Sequence, residues 1–185
     1  MAAILPHYFP YDKKWIIGPE VWNDDPSVKR ARSDLVVFRI NDGTIKDPIK
    51  DFGALLPHVL YEGKKQHAKT WAELMGDQVF QECEGLVYKG DKLWVIAQIG
   101  FQLCVFRFDL NKYLFPGSSG VFDHFSPLNL NEWTDTDLNA RGIKHITESV
   151  DHYRDVLQVI QWELDNPAHY PHIHAMLLWI SQNEV

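Results

Sequence analysis

Histidine is concentrated toward the C-terminus, where His169, His172 and His174 lie close together and His145, Asp151 and His152 precede them. Neutral imidazoles ligate zinc and other transition metals, and three protein ligands with one open position would leave a water to be activated for hydrolysis. That chemistry would make the chain a metal-dependent hydrolase or nucleotide-processing enzyme holding a divalent transition metal. The spacing works against it, because Pro171 opens a helix and on a helix the ends of His172-x-His174 diverge by about 200°. The competing reading is a set of surface and interface histidines around a helix start, with no cofactor expected.

Carboxylates collect in Glu132 to Asp137 (EWTDTD), around Trp133. Paired acids suit general acid–base chemistry, but Asp135 or Thr136 equally suits a helix N-cap, where acidic residues favour the positive helix end. Nucleophilic chemistry lacks its setting. Ser118 and Ser119 sit in PGSSG rather than in a GxSxG elbow, and Cys104 alternates with apolar residues and reads as an inert core thiol. No run matches GxxxxGK[ST] or GxGxxG. The divided acid-plus-lysine pattern of metal-dependent nucleases is missing from the central strands, whose hairpin carries Gln98, Gln102 and Arg107 and keeps its acids at the ends.

The elements that would position these groups follow from periodicity and turn chemistry. Residues 1–30 carry Pro6, Pro10, Pro19 and Pro26 among five aromatic residues, and read as an extended arm with a short strand at Trp15 to Ile17. Asp34 to Ile40 is β-branched and aromatic and runs into Asp42-Gly43, a tight-turn signal. Asp47-Pro48 opens a helix that Pro57 ends or kinks. Thr70 to Glu73 fits a capping box, after which Trp71, Leu74, Met75, Val79 and Cys83 share a helical face and Gly85 stops the helix.

Gly85 to Lys89, Leu93 to Ile99 and Phe101 to Asp109 read as an antiparallel meander, and 111–133 as a long loop. Ile146, Val150, Tyr153, Leu157, Ile160 and Leu164 fall on one helical face, and Ile173, Met176, Leu177 and Ile180 on another after Pro171. The resulting expectation is an α+β fold. A mainly antiparallel sheet of four to six strands carries a C-terminal helical hairpin and one further helix packed on it.

Length and composition bound the function. The 185 residues read as a single globular domain, 1–185, and an apolar share of 45% with seven Trp and ten Phe suffices for a core without staples. Two distant cysteines, Cys83 and Cys104, suit a reducing cytoplasmic setting. No stretch approaches the ~18 apolar residues of a membrane helix, so no membrane is expected. The net charge of −7 disfavours nucleic acid unless a local patch overrides it, the basic runs being Lys29, Arg30 and Arg32, and Lys64 and Lys65.

Charge, aromatic excess and the long loop point to a non-catalytic, acidic protein-binding module. It would neutralise or regulate a basic protein partner in the manner of an immunity protein or counter-defence inhibitor, through Tyr113, Phe122, Phe125, Trp133, Asp135 and Asp137. The alternatives are the histidine-based enzyme, on His145, His152, His169, His172 and His174, and a small-molecule sensor with its pocket between sheet and loop.

Overall fold

In the computed structural model the described residues are 4–22, 32–40, 55–86, 92–111, 124–127, 144–150 and 155–183. They open with a short helix α1 (Leu5–Tyr8) and a 3-10 turn at Tyr11–Lys13. Strands β1 (Trp15–Trp22), β2 (Arg32–Ile40) and β3 (Leu55–Lys64) follow, then a helix α2 over 71–86. Next come β4 (Lys92–Ile99), β5 (Gln102–Asp109), β6 (Phe125–Pro127), β7 (Lys144–Val150) and β8 (Asp155–Glu163), and the chain closes on helix α3 (Tyr170–Gln182). The α+β class and the mainly antiparallel sheet are as the sequence indicates.

The strands form one eight-stranded sheet in the order β1-β2-β3-β4-β5-β8-β7, with β6 beside β5. Strands β1 to β6 make its body. The β7–β8 hairpin joins through two residue pairs only, Gln102↔Glu163 and Leu103↔Trp162. Every neighbouring pair is antiparallel except β3 and β4. A parallel pair needs a long crossover, and α2 supplies it.

Side chains from β4 and β5 divide between two cores. Leu93, Val95, Ala97, Cys104, Phe106 and Phe108 pack with Trp71, Leu74, Met75, Val79 and Cys83 of α2. Trp94, Ile96, Leu103 and Val105 pack with Ile173, Met176, Leu177 and Ile180 of α3 and with Leu5 and Phe9 of the N-terminus. The molecule is thus three layers, helix on sheet on helix. This explains why Leu93 to Ala97 is buried without interruption, since a central strand covered on both faces has no polar side.

The capping box at Thr70 is present: Thr70 Oγ1 accepts from the Glu73 N–H at 3.2 Å and Glu73 Oε2 accepts from the Thr70 N–H at 2.8 Å. The helix runs one residue past Gly85, to Leu86, so the expected strand over 85–89 begins as helix and its remainder lies outside the described residues. In α3, Ile173, Met176, Leu177 and Ile180 are all buried, at the i, i+3, i+4, i+7 spacing.

Four expectations are corrected. Residues 146–150 and 155–163 are not helix but lie in β7 and β8, so they form no helical hairpin with α3. The apolar residues there do recur at helical spacing, but Ile146, Thr147, Val150, Val156, Val159 and Ile160 are β-branched and favour a pleated surface. The open side of β5 supplies backbone donors and acceptors for one more strand. Second, the antiparallel meander reduces to the β4–β5 hairpin, because the other side of β4 is taken by β3 in parallel; α2 and α3 cover opposite faces of the sheet.

Third, Pro57 ends no helix; it lies in β3, where the pairing with β2 slips by one residue, Val37↔Val59 being followed by Phe38↔Pro57. A bulge is where a strand tolerates proline. The extra residue, His58, is aimed at the α3 side, where its Nε2–H donates to the Ile180 carbonyl at 2.9 Å. Fourth, the N-terminal arm is structured through Trp22, with Leu5, Phe9 and Trp15 buried. Pro19 is accommodated because β1 is an edge strand. The expected turn at Asp42-Gly43 and the helix after Asp47 lie outside the described residues, as does most of the 111–133 loop.

Candidate functional site

Where the β2–β3 ladder stops, side chains replace backbone. The last paired residues are Leu35↔Tyr61. Beyond them the Asp34 N–H donates to Glu62 Oε2 at 3.1 Å, and the Gly63 N–H donates to Asp34 Oδ2 at 3.0 Å. β3 meanwhile stays paired with β4 as far as Lys64↔Ile99. The two strands therefore part at a point held by two carboxylates, each accepting a backbone N–H beside the other.

Glu62 and Lys64 are two residues apart on β3 and so share a face. Lys64 Nζ pairs with Glu62 Oε1. Glu62 is fully buried, whereas the Lys64 side chain remains 24% exposed, which puts its ammonium between the carboxylate and solvent. Gly63 leaves room between them, since a Cβ there would force the Tyr61 hydroxyl to shift. That hydroxyl is itself fixed by donating to Gln98 Oε1 at 2.9 Å, and Gln98 Nε2 donates to the Gly100 carbonyl at 2.6 Å.

Helix α2 closes the cluster from above. Gln78 Nε2 donates to Glu62 Oε1 at 2.6 Å and to Glu82 Oε1 at 3.0 Å. The turn Leu74–Val79 that presents Gln78 is π-helical, with the Phe80 N–H reaching back to the Met75 carbonyl. Such wide turns recur at functional sites because they re-aim the side chains around them. Glu82 is 1% exposed, and its Oε2 is buried with no hydrogen-bond partner among the described residues. A buried carboxyl oxygen left unsatisfied carries a desolvation penalty of about 1–3 kcal/mol.

The electrostatics follow from this crowding. Burial, and then the adjacent Glu62 carboxylate, push Glu82 up to about 9, so it holds a proton at neutral pH. Burial also raises Glu62, against the pull of Lys64. Tyr61 is pushed up to about 12 by burial and by the charges of Asp34 and Glu62. The site concentrates negative charge, with Lys64 as the cation in direct contact.

The residues expected from sequence are placed elsewhere. His169 is fully buried, its Nδ1 accepting from the Glu163 N–H at 2.8 Å and its Nε2 lying 3.1 Å from Asn166 Nδ2. His174 is exposed, with Nδ1 2.7 Å from the Tyr8 hydroxyl. His172 lies on α3 between them, and His145 is on strand β7 rather than on a helix. Among the described residues no group of three or more His, Cys, Asp or Glu is arranged to hold a metal ion. Phe125 is 2% exposed and packs against Phe106 and Phe108, in the core. Tyr113, Phe122, Trp133, Asp135, Asp137 and His152 lie outside the described residues. Cys104 and Cys83 are both buried and in no disulfide, and burial raises Cys83 well above the ordinary thiol range.

Asp34, Glu62 and Lys64 bring together two acids and a lysine, a grouping that the interior of the β4–β5 hairpin lacks. It sits one strand pair away, on β2 and β3. The signal, Glu62-Gly63-Lys64 closing an apolar run, is visible in the sequence, but reading Pro57 as a helix terminus hid the strand that carries it.

Set against known proteins, the chain matches no family model, no curated protein and no solved structure. What defines its class is the fold and site: a three-layer α+β domain with a carboxylate–lysine cluster at the splayed end of two strands. Among the described residues no helix is long and apolar enough to cross a membrane.

Proposed function

We propose that the chain is a divalent-cation-dependent phosphodiester hydrolase, with Asp34, Glu62 and Lys64 as its reacting-site residues. The observation that carries the reading is the placement of Asp34 and Glu62 side by side where β2 and β3 part, with Lys64 on the same face as Glu62. Hard cations such as Mg²⁺ take one or two carboxylates and fill the rest of their shell with water and phosphate oxygens, so they need no third protein ligand. Bound there, the cation would acidify a water and offset charge on the phosphoryl oxygens.

The chain's own residues do the rest. Asp34 and Glu62 are oriented by the Gly63 and Asp34 N–H groups, so the ligand pair is preorganised. Lys64 supplies a point charge for a phosphate oxygen, as lysines do in many phosphate sites. Gln78 fixes Glu62 from above. The basic run noticed in the sequence, Lys64 and Lys65, continues to Lys69 along the exit from β3, which gives a local counter to the net charge of −7.

The test is incubation of labelled single- and double-stranded DNA and RNA with Mg²⁺ or Mn²⁺, comparing wild type with E62Q and K64A. Cation-dependent cleavage that both variants abolish, in proteins that melt like wild type, supports the reading. Failure to cleave any of these, together with no calorimetric binding of either cation, overturns it.

A second reading rests on the net charge of −7: an acidic module that binds a basic protein. Long-range attraction of that kind is strongest at low ionic strength. A low-salt pull-down that recovers no basic partner would count against it.

A further inference from the structure

On the opposite face of the sheet from the carboxylate cluster, we propose that Trp94 and Arg107 form a binding site for a phosphate group. The two residues are directly opposite in the antiparallel β4–β5 pair, so their side chains leave the same face within about 5 Å of each other at Cβ. Trp94 belongs to the core beneath α3, which places the pair on that side.

Both residues present buried donors with no acceptor among the described residues. Trp94 is 3% exposed and its indole Nε1 is buried without a hydrogen-bond partner; the Arg107 Nε is buried without one as well. Indole and guanidinium nitrogens only donate, so two adjacent orphans call for one acceptor group rather than for each other. Asp109, two residues along the same strand and so on the same face, is engaged elsewhere: it is paired with Lys92 at 3.4 Å and accepts from the Asn111 N–H at 3.1 Å. Among the described residues, no carboxylate is paired with Arg107.

The ligand class follows from the donors. A guanidinium fork with an adjacent indole N–H matches an oxyanion with several acceptor oxygens, and Arg binds phosphate by such forks. Trp179 of α3 stands edge-on to Trp94, with ring centroids 5.2 Å apart, and is 38% exposed. That leaves an aromatic surface beside the donors on which a base can stack. Free phosphate and a nucleotide share the recognised group. This site does not depend on the hydrolase reading, because it lies on the other face and shares no residue with it.

The experiment is isothermal titration of the full chain with inorganic phosphate and with adenosine monophosphate, for wild type, R107M, R107K and W94F. Saturable binding is expected, weakened at least about tenfold in R107M and less in R107K and W94F, with thermal melts confirming that each variant folds. Tighter binding of the nucleotide than of phosphate assigns the site to nucleotides; equal binding assigns it to free phosphate. Absence of saturable binding of either probe at about 10 mM, or binding unchanged in a folded R107M or R107K, overturns the proposal.

Discussion

Asp34 and Glu62 orient one another: the Asp34 backbone N–H donates to Glu62 Oε2 at 3.1 Å, while Asp34 Oδ2 accepts from the residue after Glu62, Gly63, at 3.0 Å. Neither acid could be moved without releasing a backbone donor at the other. A structural device and a candidate ligand pair therefore coincide, and variants must be chosen to separate the two roles.

Asp34→Asn keeps an acceptor for the Gly63 N–H, whereas Asp34→Ala removes it. D34N should fold with stability within about 0.5 kcal/mol of wild type, and D34A should lose about 1–2 kcal/mol. If the hydrolase reading holds, both lose cleavage by at least about 100-fold, since a ligand costs more than the 10–100-fold of a supporting group. Chemical denaturation and a cleavage assay on the same preparations check this.

Glu82 makes stability depend on pH. Its folded value, about 9, is above the ordinary 4.5, so the native state binds the proton more tightly than the unfolded chain. The contribution is complete below about pH 4.5 and is lost as pH rises toward 9; Glu62, also raised, acts in the same sense. Glu82→Gln stays neutral throughout. In metal-free protein, E82Q should match wild type near pH 4.5 and exceed it by about 1–3 kcal/mol at pH 9. Thermal melts across that range give the answer, and parallel curves would refute the assignment.

Gly63→Ala should destabilise, because the new Cβ meets the Tyr61 hydroxyl that Gln98 holds in place. The expected loss is about 1–3 kcal/mol. Tyr61→Phe removes the atom met most closely, so G63A should cost less in a Y61F background. A double-mutant cycle in urea measures that coupling; additivity within about 0.5 kcal/mol would show that the collision is not the cause.

Thr70→Ala removes the acceptor for the Glu73 N–H and half of the capping box. A loss of about 0.5–2 kcal/mol is expected. Because α2 also carries Gln78 and Glu82, T70A serves as a control: stability should fall while any cleavage at saturating cation is retained.

How far the sequence could be read differs element by element. The capping box and the face Leu74, Met75, Val79 and Cys83 are short-range facts about a helix, and they hold in the structure. So does the stripe Ile173, Met176, Leu177 and Ile180. The span 146–164 misled because its apolar residues fit two periods at once, and the choice belonged to the open edge of β5. Pro57 misled because proline stops a helix and an ordinary strand alike, and only the bulge opposite Val37 and Phe38 admits it.

The candidate site divides along the same line. Glu62-Gly63-Lys64 stands in the sequence as a same-face pair once the segment is extended, and the local basic run after it is equally plain. Asp34 and Glu82 carry no such mark. They are brought to Glu62 by the β2–β3 register and by the crossover helix, contacts between segments far apart in the chain. The sequence by itself determined the helical faces of α2 and α3 and which short motifs exist, because these depend on neighbours along the backbone. Which carboxylates are buried together and share the Gln78 donor was decided only by the tertiary structure, since burial and charge proximity arise only when distant segments pack.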